Sequence, residues 1–204
     1  MYYPSSLVEN AVNEISRLPG IGKKTALRLV LHLLREDKHI SEDLAGSIIK
    51  LRNEIKYCEV CHIIADSTKC NCYHMNTDVS ILCIVEDTPD VLAIKSTGQY
   101  NGMFHVLGGR ISPINGIGPD ELNIKSLIKR INNADGEIKE VILALSSTME
   151  GDTTSFYLSK QLQGSKVMIT SIARGIPIGG ELEYADELTI GRSISSRTPF
   201  SSLS

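Results

Sequence analysis

Two runs of this chain, SILCIVED at 80–87 and EVILALSS at 140–147, stay apolar for five or six residues before they turn polar. A strand with one wet face alternates apolar and polar residues. A continuous apolar run is instead buried on both faces, which calls for a parallel sheet covered by helices on each side. KVMITSIA at 166–173 supplies a further strand, and amphipathic segments near 119–132 and 153–163 supply the crossovers. The second half therefore reads as an α/β domain, with Cys83 as plain core inside its first strand.

The first quarter has a different period. Val8, Val12 and Ile15 recur at helical spacing, and after LPGIGKK a second pattern places Ala26, Val30, Leu33 and Leu34 on one face. A third, Leu44, Ile48, Leu51 and Ile55, follows Ser41 as the expected cap. The 204-residue chain carries 21 Lys+Arg against 24 Asp+Glu, a net charge of −3, so no global basic field points to nucleic acid. Residues 1–56 alone hold nine basic and seven acidic side chains, which makes this module slightly basic. The start, MYYPSSLVENAV, has neither a basic nor a long apolar leader. The apolar runs fall far short of the ~20 residues that span a bilayer, so the expectation is a cytoplasmic protein with no membrane contact.

The hairpin Leu18-Pro19-Gly20-Ile21-Gly22-Lys23-Lys24 opens the second helix. Gly20 and Gly22 permit positive φ and let the backbone approach a phosphate, and amides at a helix N-terminus then face the anion. Lys24 and Arg28, four apart, share a helical face, with Lys23 beside them, and such residues hold a DNA strand without reading its bases. An ordinary glycine turn with solvated lysines is the plain alternative. A nucleotide-binding P-loop is excluded, since its first glycine would fall on Arg17 and no strand precedes it.

Four of the five cysteines fall together: Cys58-x2-Cys61, eight residues, then Cys70-x-Cys72, with His74 two further on. In a reducing compartment this spacing reads as a structural Zn2+ site, closed by four protein ligands, and the last ligand is Cys72 or His74. In the α/β half, Glu86 ends the first buried strand, and Glu150-x-Asp152 follows the second. Carboxylates at the carboxyl ends of parallel strands meet in the crevice where open sheets bind ligands. Glu86, Glu150 and Asp152 are thus a candidate Mg2+ or partner site, against the plain reading of solvated strand ends.

Taken in order, LPGIGKKTALRL, the cysteine cluster, IVEDTPDVLAI, TGQYNGMFHVLGGRISPINGIGP, TMEGDTT, IARGIPIGGELEYADELT and the closing RTPF resemble the RecR family of recombination and repair proteins over almost the whole chain. The resemblance implies an α+β, multi-module architecture. Its parts are a helix-hairpin-helix at 1–56, a four-cysteine zinc finger at 57–79, a Toprim domain with a parallel sheet at 80–175, and an extended C-terminal arm at 176–204. It also implies a homodimer or homotetrameric ring that clamps double-stranded and gapped DNA and works with RecO or RecF to load recombinase. The DNA-facing residues would be Lys24 and Arg28 with Lys23, the zinc ligands Cys58, Cys61, Cys70 and Cys72, and the Toprim acids Glu86, Glu150 and Asp152. The arm would pack on a neighbouring subunit around Phe200. The chain departs from the pattern twice. Its second cysteine pair has one intervening residue where the family has two, and it carries Glu-x-Asp where catalytic Toprim enzymes carry Asp-x-Asp. With no nucleophilic-tyrosine domain beside it, the implied role is non-enzymatic; the rival is a Mg2+-dependent Toprim nuclease or topoisomerase-like enzyme.

Overall fold

The computed structural model describes residue 3 and residues 5–67 and 76–197. The chain divides into two compact units, Met1–Ile55 and Lys56–Ser204.

The first unit holds three helices. Helix α1 (Ser6–Ile15) starts at Ser5, whose hydroxyl accepts the Leu7 N–H at 3.1 Å. Helix α2 (Lys23–Leu33) follows the glycine hairpin. Val12, Ala26 and Val30 are buried where the two pack, flanked by Val8, Ile15, Ile21 and Leu27. Leu34, expected on this face, is the C-cap of α2 and is exposed. Helix α3 (Lys38–Glu54) begins three residues before the expected Ser41 cap. Its N-cap is Asp37, and the i,i+4 ion pair of Lys38 with Glu42 at 3.0 Å braces the first turn. Leu44, Ile48 and Leu51 are exposed, so α3 keeps the period of an amphipathic helix but buries no residue.

The second unit opens with a small antiparallel ribbon, β1 (Lys56–Tyr57) against β2 (Ile64–Ala65), with Cys58 and Cys61 in the turn between them. Then come β3 (Asp78–Val85), α4 (Thr88–Ser96), β4 (Gly102–Val106), α5 (Ile124–Asn133), β5 (Glu140–Ala144), α6 (Met149–Gln161), β6 (Met168–Ser171) and α7 (Glu187–Ser195). The four long strands form one parallel sheet in the order β4-β3-β5-β6.

The doubly buried runs behave as expected. Leu82 and Ile84 of β3 join Val141 and Leu143 of β5 beneath Ile124, Leu127 and Ile131 of α5 and Leu158 of α6. The alternate residues Cys83 and Val85 join Phe104 and Val106 beneath Val91 of α4. From Leu82 to Val85 each β3 side chain is buried, whichever way it points, and burial pushes the Cys83 thiol up to about 12. At roughly 1.5–3 kcal/mol for each fully buried Leu, Ile or Val, these two layers carry most of the driving force for the unit.

Two elements escaped the sequence patterns, α4 and β4. The tail, expected as an extended arm, carries a helix, α7, whose N-cap Asp186 accepts from the Thr189 N–H at 2.9 Å. No helix among the described residues is long and apolar enough to cross a membrane.

Candidate functional site

The glycine hairpin puts Gly20 at φ +79°, the left-handed region, and this closes the turn into α2. Gly22 does not share that conformation. It sits at φ −77° as the N-cap of α2 and offers no side-chain cap. A Cβ there would meet no atom within 4 Å, so nothing inside the chain requires glycine at this position. What glycine provides is an unobstructed approach to the uncapped first turn, which carries the positive end of the helix dipole. Lys23, Lys24 and Arg28 are exposed, and none is in an ion pair among the described residues. The structure thus brings Gly20, Gly22, Lys23, Lys24 and Arg28 onto one short stretch, cationic and open.

Cys58 and Cys61 are buried on the ribbon turn. The Val60 N–H donates to Cys58 Sγ at 3.4 Å, and the Cys58 N–H donates to the Ile63 carbonyl at 2.9 Å. The two sulfurs share one tight turn at C-x2-C spacing, an arrangement that fits half of a four-ligand zinc set. Cys70, Cys72 and His74 lie outside the described residues, as does Phe200. The turn is fastened to the sheet through residues that the sequence did not single out. The Val106 N–H donates to the Cys61 carbonyl at 2.9 Å, and His62 meets Ser126 Oγ at 2.8 Å. The His62 ring stands edge-on to His105 at 5.1 Å. Burial drives the His105 pKa down to about 3, so it is a neutral core side chain with its Nε2 against the Asn123 carbonyl at 2.9 Å.

The sheet order reverses between β3 and β5, and at such a switch point the loops after the strands part to form a crevice. Glu86 follows β3, and the loop after β5 reaches across to it: the Ser146 N–H donates to Glu86 Oε1 at 2.7 Å. Arg110 takes the other oxygen at 2.9 Å. Burial alone would raise the Glu86 pKa, but these hydrogen bonds and the guanidinium charge outweigh it and hold the carboxyl below its ordinary value. Asp152, on the first turn of α6, accepts from Arg174 through Oδ1 and from Arg192 at 3.1 Å through Oδ2. The Arg174 hydrogen bond leads in holding its pKa down, with both guanidinium charges adding to it. Glu150 shares that turn and makes no ion pair among the described residues.

The three acids therefore do not converge. Two of them are met by the chain's own arginines, and no group of three His, Cys, Asp or Glu side chains among the described residues could hold a metal ion. Arg110, Arg174 and Arg192 carried no local sequence signal, because each pairs with a carboxylate 22 to 40 residues away.

One further consequence concerns the arm. Among the described residues, the hydrogen bonds from residues 174–197 back to the rest of the unit are those of Arg174 and Arg192 to Asp152. Asp152→Asn leaves a neutral acceptor between two cations, and amide exchange across α7 should then accelerate about tenfold while β3 and β5 keep their protection. Unchanged exchange in α7 would show that apolar contacts hold the arm unaided. In the parent, the same protection should be present above the ordinary aspartate pKa and fade as pH falls through the depressed value.

Comparison with known proteins agrees with this geometry. A family model described as RecR, helix-hairpin-helix, matches residues 8–51, a Toprim domain model matches 80–173, and a RecR C-terminal model matches 175–198. The chain is 58% identical over 201 residues to the recombination protein RecR of Cytophaga hutchinsonii, covering 98% of each. It is 55% identical over 199 residues to that of Parabacteroides distasonis, covering 97% of this chain and 95% of the relative. Against the recombination protein RecR of Bacteroides fragilis the identity is 55%, over 97% of this chain and 96% of the relative. With a helix-hairpin-helix, a parallel Toprim sheet and a C-terminal segment in matching order over nearly its full length, the chain belongs to the RecR family of recombination proteins.

Proposed function

We propose that the chain is a non-enzymatic, DNA-binding recombination mediator, a clamp that holds double-stranded or gapped DNA by its phosphates and acts with RecO or RecF to load recombinase. The observation that carries the reading is the open, uncapped start of α2 behind Gly20, with Lys23, Lys24 and Arg28 exposed and in no ion pair among the described residues. Such a site grips one strand weakly. Assembly into a homodimer or homotetramer would multiply the grip through effective concentration, and a closed ring would add topological retention.

The acidic crevice supports the non-enzymatic side of the reading. A carboxylate already neutralised by a guanidinium is a poor general base and a poor metal ligand, and both Glu86 and Asp152 are in that condition. Gapped or supercoiled DNA incubated with the protein and Mg2+ should stay intact; cleavage that disappears in Glu86→Gln would establish the enzymatic rival. Glu86 and Glu150 would serve as a contact for a basic patch on the RecO-like partner.

The cysteines would hold a structural zinc ion, with Cys58 and Cys61 as two of its ligands, and zinc there ties together a segment with little apolar surface of its own. Metal analysis should find one zinc per chain. Its removal by a chelator should lower the melting temperature by several degrees, and the same drop should appear in Cys61→Ser, as expected for the loss of a structural metal. A chelated protein that melts like the parent would remove zinc from the account.

A further inference from the structure

The hairpin residues do not exhaust the charge on α2. Lys24, Arg28 and His32 follow one another at four residues, which keeps them on one stripe of α2, and Arg35 lies in the turn just past its end, with its N–H on the His32 carbonyl at 2.9 Å. All four are exposed, and all four line one shallow groove of about 730 Å³, floored by Leu27, Leu29 and Leu31. No acidic side chain lines this groove. Glu36, just beyond it, stands 3.6 Å from His32 and leaves the Arg35 guanidinium without an ion pair among the described residues.

We infer that the DNA-binding surface continues from the hairpin along α2 to His32 and Arg35, so that the groove holds the sugar-phosphate backbone of one DNA strand over several successive nucleotides. This rests on the proposed reading of the hairpin as a phosphate site. The length suits it: the eight residues from Lys24 to His32 rise about 12 Å along the helix, with Arg35 beyond them. At ~3.4 Å of axial rise per nucleotide on one strand, that span faces roughly three or four phosphates. The composition suits it as well, since the cationic side chains can meet phosphate oxygens while the leucine floor accepts the apolar faces of the deoxyriboses. No Phe, Tyr or Trp is among the residues that line the groove, and its cationic side chains are of the kind that hold phosphate oxygens, so contact with the backbone is what this chemistry favours.

The test is the salt dependence of binding. The full chain is titrated against a labelled duplex and against a single strand of equal length over a series of salt concentrations, for the parent, Arg35→Ala, Arg35→Lys and Lys24→Ala/Arg28→Ala. Removing one phosphate contact should reduce the slope of log K against log salt by about 0.9 for each engaged chain on duplex or about 0.7 on single strand, and the probe on which the slope falls identifies which form occupies the groove. Arg35→Ala should weaken binding about fivefold at moderate salt whatever the DNA sequence, while Arg35→Lys keeps the point charge and the parental slope. A parental slope in Arg35→Ala, beside loss of binding in the hairpin variant, would confine the contact to the hairpin and overturn the inference. If the hairpin variant itself binds like the parent, the phosphate reading of the hairpin fails, and its extension fails with it.

Discussion

Lys24→Ala combined with Arg28→Ala should abolish retention of a gapped duplex while leaving the fold and the proposed assembly intact. Both side chains are exposed and neither makes an ion pair among the described residues, so their removal costs the folded chain within about 0.5 kcal/mol. The loss falls on binding alone. Two phosphate contacts removed per chain reduce the salt slope by about 1.8 on duplex DNA, and in an assembly every subunit loses them at once. At moderate salt the combined effect should exceed roughly a hundredfold in apparent affinity. Fluorescence anisotropy with labelled gapped DNA, beside light-scattering mass, measures both quantities. Binding equal to the parent would sink the assignment of the hairpin, whereas loss of the oligomer would mean that these side chains act in assembly.

Gly151→Ala should be the most destabilising small substitution in the Toprim unit. Gly151 lies in the first turn of α6, where the loop after β5 passes so closely that an added Cβ would overlap the Ser146 carbonyl oxygen. The obstacle is backbone, so no rotamer change relieves it. Either α6 or the loop must move, and the loop carries the Ser146 N–H that holds Glu86 across the switch point. Overpacking against a fixed backbone costs about 1–3 kcal/mol or more, and the lost charge-assisted hydrogen bond adds to that. Denaturant unfolding should show a lower midpoint with an unchanged slope. Reduced interaction with a RecO-like partner, at temperatures where the variant is still folded, would connect the loop to the function of the crevice. A parental midpoint would show that the loop yields without cost.

The parts of the fold legible in the sequence are those whose signal is local. β3 and β5 declare themselves because each is covered on both faces, so every residue from Leu82 to Val85 must be apolar and the run is unbroken. α1 and α2 declare themselves through Val12, Ala26 and Val30, which share one small core at helical spacing. β4 was missed because it is five residues long and includes His105, a polar residue whose burial makes sense only once His62 and the Asn123 carbonyl are seen beside it. α4 was missed because its apolar residues form no stripe and only Val91 is buried. α7 lies in a serine-rich stretch and buries no residue, so neither composition nor period marks it.

The sequence by itself determined the modular order, the parallel sheet, the glycine hairpin with its lysines, and the cysteine spacing. These are properties of residue type and of short-range interval, set by steric freedom, period and side-chain chemistry within a few turns of chain. The tertiary structure alone decided what the acidic residues are. From spacing, Glu86, Glu150 and Asp152 could have met around a cation; in the fold, Arg110 crosses to Glu86, and Arg174 and Arg192 close on Asp152. Charges find partners by distance in space, not along the chain, and a carboxylate's pKa, its metal affinity and its value to a partner all follow from which opposite charge the fold brings within hydrogen-bonding reach.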